Sequence, residues 1–149
     1  MAALSNYAEN KLIDLLFRGQ AFTPPSTLYF AAFTALPSDT GGGTECSGGS
    51  YARVAVSASL DNFAGTQGAA TTTVSSGSSG TTSNNIDIQF PSPTASWGTV
   101  VGMAVFDAAS GGNMLMYGPI SPAKTVNSGD LPPKWSIGQW VFQLDTDSD

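Results

Sequence analysis

Turn-forming residues cut this chain into short pieces, and that spacing limits its possible folds more than any motif does. Past Pro24-Pro25 the breaks come at Pro37 to Ser50, Gly65 to Asn85, Pro91-Ser92-Pro93, Asp107 to Asn113, Ser128-Gly129-Asp130 and Pro132-Pro133. Glycine and proline weaken or end regular elements, so each cluster closes one and opens the next. Thr27 to Phe33 is apolar on both faces and rich in aromatics, as a central strand is. Ala52, Val54 and Val56 alternate with Tyr51, Arg53 and Ala55, and Ile86, Ile88 and Phe90 alternate with Asp87 and Gln89. Both patterns predict strands buried on one side. Trp97 to Phe106 and Met114 to Tyr117 flank the best hairpin signal, Asp107 to Asn113, whose adjacent glycines allow positive φ. Thr125 to Asn127 and Trp135 to Leu144 complete a set of about six to eight strands.

One piece near the start has a different period. Asn6 is placed to cap a helix with Glu9 three residues on, and Ala8, Leu12, Leu15 and Leu16 share a face. Tyr7, Lys11, Asp14 and Arg18 take the other face, and Gly19 is a natural terminator, which predicts a helix over residues 6–18. The expected fold is therefore mainly β: an antiparallel β-sandwich or jelly-roll-like barrel with one short N-terminal α-helix. A chain of 149 residues fits a single domain, 1–149, because that length can bury roughly 70% of its unfolded surface. Two long loops interrupt it, 37–50 and 65–85, the second made of Gly, Ala, Ser, Thr and Asn with only Gln67 and Val74 larger.

Which partners are compatible follows from charge. Only 11% of residues are charged, against roughly 25% in ordinary soluble domains. A surface of small neutral side chains favours close contact with other protein, since little charge has to be desolvated. The net charge of −6 repels phosphates, and the cations Lys11, Arg18, Arg53, Lys124 and Lys134 form no run, so nucleic acid is not an expected partner. Met1 to Asn6 carries no basic or apolar leader, and no apolar stretch reaches membrane-spanning length, so neither export by that route nor a membrane is expected.

Catalytic and cofactor chemistry is not expected either. The chain has no histidine, which removes Ser-His-Asp triads, Cys-His dyads and His-ligated metals. Cys46, the sole cysteine, sits beside Glu45, whose charge disfavours the thiolate, so it reads as a passive loop thiol. Asp61, Asp87 and Asp107 are the carboxylates to consider for glycoside cleavage, but they occupy different segments with no local signature, Asp87 on the polar side of an alternating strand and Asp107 at a hairpin mouth, where acceptors cap turns. Asp145, Asp147 and Asp149 echo half a calcium loop without its glycine and distal glutamate, and read as a solvated tail. The glycines at 41–43 and 48–49 lack the Lys-Ser/Thr of a phosphate loop.

Candidate interface residues remain. Gln67 and Val74 mark the low-complexity stretch as an interlocking arm, against the plainer reading of a β-ribbon. Arg53 can pair with Glu45 or reach a partner's carboxylate. Among Tyr7, Tyr29, Tyr51, Trp97, Tyr117, Trp135 and Trp140, most are expected in the core, and Trp135, beside Pro132-Pro133-Lys134, is the one least expected to be buried.

Several stretches taken together carry a resemblance: Glu9 to Gly19, Thr23-Pro24-Pro25 to Phe33, Glu45 to Arg53, Phe90-Pro91, Trp97-Gly98-Thr99, Phe106-Asp107-Ala108, Gly111-Gly112-Asn113 and Lys124 to Asp130. In this order they resemble a family of small tailed-bacteriophage virion proteins, often labelled tail-fibre-like. The resemblance implies a structural role in the virion without catalysis; the single cysteine fits assembly in the reducing host cytoplasm, and the weakly charged surface fits partners that are other copies of the chain and other coat or tail proteins. The chain has no heptad or collagen-like period, which an elongated fibre needs, so a capsid cement or decoration protein that stabilises the head is the preferred expectation. A tail or tail-fibre-associated protein, or a receptor- or carbohydrate-binding module using exposed aromatics, is the alternative.

Overall fold

The computed structural model describes residues 2–144. Along the chain lie β1 (Ala3–Leu4), α1 (Asn6–Phe17), β2 (Thr27–Ala35), β3 (Thr44–Glu45), β4 (Val54–Ser57), β5 (Thr81–Ser83), β6 (Ile88–Gln89), β7 (Gly98–Phe106), β8 (Met114–Val126), β9 (Lys134–Trp135) and β10 (Val141–Gln143). Every strand pairing is antiparallel. Six strands form one sheet in the order β1-β8-β7-β2-β3, with β4 also on β2; β5 with β10 and β6 with β9 make two short ribbons. The fold is thus mainly β and antiparallel with one helix near the N-terminus, as the turn spacing predicts. The ribbons are short because the turn formers around 65–80 and 128–133 leave only two or three consecutive residues free to pair.

β2 is central, as its two-sided apolarity requires. Phe30 and Ala32 point to one face opposite Val105 and Met103 of β7, and with Val56, Ile88, Phe90, Trp97, Val100 and Val126 they form the main core. Ala31, Phe33, Ala104 and Met114 form a smaller cluster with the half-buried Phe106 and Tyr117. The β7–β8 hairpin forms where the sequence places it: Asp107 accepts from Asn113 N–H at 2.7 Å, and Gly111 and Gly112 take φ of 59° and 74°. β8 continues to Val126, well past Tyr117.

The helix starts at Asn6, as predicted, but its cap is the residue before it. Ser5 is the cap, accepting from Ala8 N–H at 3.2 Å while its own hydroxyl donates to Met114 O. That second bond ties the helix start to β8, which Asn6 could not do from the first helical position. α1 contains no buried residue. Its half-buried side is Tyr7, Ala8, Lys11 and Asp14, and Leu12, Ile13, Leu15, Leu16 and Phe17 are exposed, Leu16 by 64% and Phe17 by 81%.

Candidate functional site

Arg53 lies at the junction of three segments. Its guanidinium makes a bidentate pair with Glu45, at 2.9 Å from Nε and 2.8 Å from Nη2, and donates to Ala108 O and Gly111 O in the hairpin turn. It also lies over the Phe106 ring at 3.7 Å from the centroid. Only 7% of the side chain is exposed, so of the two roles open to it the internal pair with Glu45 is the one the fold uses. Tyr51 joins the cluster, its hydroxyl donating to Glu45 and accepting from Ala32 N–H, and burial holds the phenol well above its ordinary pKa. Cys46 is buried next door, and burial followed by the Glu45 charge pushes its thiol up to about 11. At neutral pH it is a protonated thiol inside the core.

Gln67 and Val74 belong to one loop and are joined: the Gln67 amide donates to Val74 O at 2.6 Å and Thr73 Oγ1 at 3.3 Å. Thr66 and Gly77 hydrogen-bond across the same loop, and Thr71 reaches Gly65 and Gly68. The stretch is thereby folded on itself, with Val74 75% exposed at its surface. The end of the 65–85 region is regular instead of loop: Thr81–Ser83 pair with Val141–Gln143, and Asn84 is wholly buried.

Trp135 is half-buried and lines a groove of about 630 Å³. One wall is β8 from Met116 to Lys124; the other is the segment from Lys134 to Val141, including Gln139 and Trp140. Beyond Tyr117, where β1 stops pairing, β8 has no second strand neighbour among the described residues, so there this wall is a free sheet edge. Pro119 and Pro122 lie on it and remove two backbone donors.

The opposite wall is held from beneath. Asn84 Nδ2 donates to Ile86 O at 2.7 Å and Ser136 O at 2.9 Å, and its Oδ1 accepts from Trp140 N–H at 2.9 Å. Its backbone pairs with Gly138 and Trp140. Aromatic packing does the rest: Trp135 meets Phe90 edge-on at 5.8 Å, and Trp140 meets Phe30 edge-on at 5.2 Å. Among the described residues neither indole N–H of Trp135 or Trp140 has a protein acceptor, nor is either buried without one, so both open to solvent. The sequence singles out Trp135 as the aromatic least expected to be buried, but offers Trp140 only as one of a list of aromatics. The retrievable signal was Lys124 and Lys134 on either side of the 128–133 turn, which a chain reversal brings to one groove.

The three carboxylates considered for chemistry are dispersed. Asp87 accepts from Lys134 Nζ at 3.0 Å and Ile137 N–H at 3.2 Å, and these bonds, the lysine's first, hold its carboxyl below the ordinary value of 3.8. Asp107 caps the hairpin, and Asp61 is exposed. The Asp145, Asp147 and Asp149 tail lies outside the described residues. No three Cys, Asp or Glu side chains gather as a metal site needs among the described residues, and no helix there is long and apolar enough to cross a membrane.

No curated protein matches the chain. A protein-family comparison does, over residues 3–143, from β1 to β10, and so takes in the hairpin, the Arg53 junction and both groove walls. With nearly its whole length matched, the chain belongs to the family described as Podophage GP4 fiber I protein gp80.

Proposed function

We propose that this phage virion protein is a non-enzymatic building block of the tail-fibre apparatus that associates with a second copy of itself through α1. The observation that carries the reading is the orientation of that helix. A surface helix normally turns its apolar stripe inward, and full burial of each Leu, Ile or Phe contributes about 1.5–3 kcal/mol. Here Leu12, Ile13, Leu16 and Phe17 form a stripe at successive turns that faces out. Held this way by the Ser5 bonds to β8, the helix is short of a covering surface.

The stripe is complementary to itself in one orientation. An antiparallel copy, rotated about a point between Asp14 and Leu15, sets Leu12 against Phe17 and Ile13 against Leu16 twice over. It places Glu9 near Gln20, whereas parallel pairing would oppose Glu9 to Glu9 and align the helix dipoles. The family description favours the fibre apparatus over the head-cement role. The non-catalytic reading is supported by the lack of histidine, by the buried thiol of Cys46, and by the structural bonds that Asp87 and Asp107 make.

Sedimentation equilibrium of the full chain tests it. The expected result is a concentration-dependent dimer or higher oligomer that Leu16→Glu with Phe17→Glu converts to a monomer of unchanged melting temperature. A wild-type chain that stays monomeric at high concentration overturns the self-association, and immunogold label on the head rather than the tail overturns the location.

A further inference from the structure

We propose that the groove between the free edge of β8 and the Lys134–Val141 segment binds an acidic saccharide, with Trp135 and Trp140 as stacking surfaces and Lys124 with Lys134 as the anion-recognising pair. Its volume of about 630 Å³ lies within the range of small-ligand sites. Charge identifies the ligand's sign. Five cations serve the whole chain; Arg18 pairs with Asp14 and Arg53 with Glu45, and two of the remaining three line this groove. Among the described residues no acidic side chain lines it. Lys134 is shared with Asp87 at 3.0 Å, and Lys124 has no ion-pair partner among the described residues. In a chain of net charge −6 this is a local reversal of sign, and such reversals concentrate an anionic ligand.

The walls identify its class. Indole rings offer apolar faces to the C–H side of a pyranose, and the solvent-open indole N–H groups with the free amide nitrogen of Gln139 offer donors to hydroxyls. Asn84 and the Phe30 and Phe90 contacts fix both tryptophans, so little ordering entropy is lost on binding. A peptide strand is disfavoured at this edge, because β8 departs from regular register between Pro119 and Lys124 and carries two prolines there. Single-stranded nucleic acid also uses aromatics and cations, but it brings a phosphate with every nucleotide to a protein of net negative charge. The virion-fibre reading supplies only the setting in which such a sugar is met; the binding itself is a property of the isolated chain.

The full chain is titrated, with tryptophan fluorescence as readout, against oligogalacturonate, sialyl-oligosaccharides, neutral gluco-oligosaccharides and oligothymidylate. Saturable quenching by a carboxylated sugar is expected, stronger than by neutral sugars of equal length. Trp135→Ala and the exposed-site variant Lys124→Glu should each weaken it at least about tenfold, with Lys124→Glu retaining the wild-type melting temperature. Equal response to neutral and acidic sugars, preference for oligothymidylate, no response to any saccharide, or binding indifferent to Lys124→Glu overturns the proposal. Association through α1 is read separately by sedimentation, so one idea can fail without the other.

Discussion

Asn84 shows how much one side chain can organise and how little of that is visible in a sequence. It sits in Ser83-Asn84-Asn85, at the end of a stretch that composition marks as loop, yet it is wholly buried. Its amide satisfies Ile86 O, Ser136 O and Trp140 N–H at once, and a buried backbone group that loses its partner costs about 1–3 kcal/mol. Asn84→Leu, close in volume but unable to bond, should therefore lower stability by about 2–4 kcal/mol and the melting temperature by about 10 °C. Tryptophan emission should shift red as the 135–140 segment loosens; an unchanged melting curve would mean these bonds are dispensable. By contrast the Arg53–Glu45 pair was legible, because the two lie eight residues apart, one in the predicted loop 37–50 and one in the strand that follows it. Its further bonds to Ala108 and Gly111 were not, since they depend on where a hairpin more than fifty residues away comes to rest.

Elements were legible in proportion to their length. β2 and the β7–β8 hairpin came from two-sided apolarity and turn chemistry, which are local properties. β5, β9 and β10, two or three residues each, have no periodicity to read and exist because tertiary contacts place them in register, whereas β6 is the paired part of the alternating run Ile86 to Phe90. The helix was legible as a helix, but its rotation was not: amphipathicity says that an apolar face wants cover, and only the Ser5 bonds to β8 decide that the body does not provide it. For the low-complexity stretch the pairing of β5 decides where a cut is informative. Removing residues 68–82 would take two of the three β5 residues that pair with β10, and so would damage the wall beneath the groove. Replacing 68–78 by a short glycine linker leaves β5 and Asn84 intact. That variant should melt within about 1–2 kcal/mol of the parent, because the loop's bonds are mostly to itself and exposed. A collapse in thermal stability would show that the loop is a structural part of the domain; normal stability with poor incorporation into particles would make it the interlocking arm.

At the scale of the molecule, two surfaces of opposite character share one weakly charged body. The α1 stripe is apolar and belongs to a chain of net charge −6, so two copies approaching each other repel over long range while attracting at contact. The groove is locally cationic and its ligand anionic, so there the long-range term attracts. Added salt shortens the screening length in both cases, to about 10 Å at 0.1 M and about 3 Å at 1 M, and so must act on them with opposite signs. Self-association should tighten as sodium chloride rises, because repulsion between like-charged copies is removed and the apolar contact is untouched. Saccharide binding should weaken over the same range, because the attraction to Lys124 and Lys134 is what is screened. Sedimentation and fluorescence titration across one salt series measure both. If the two affinities move in the same direction, a single set of residues serves both events, and the assignment of assembly to the helix and recognition to the groove is wrong.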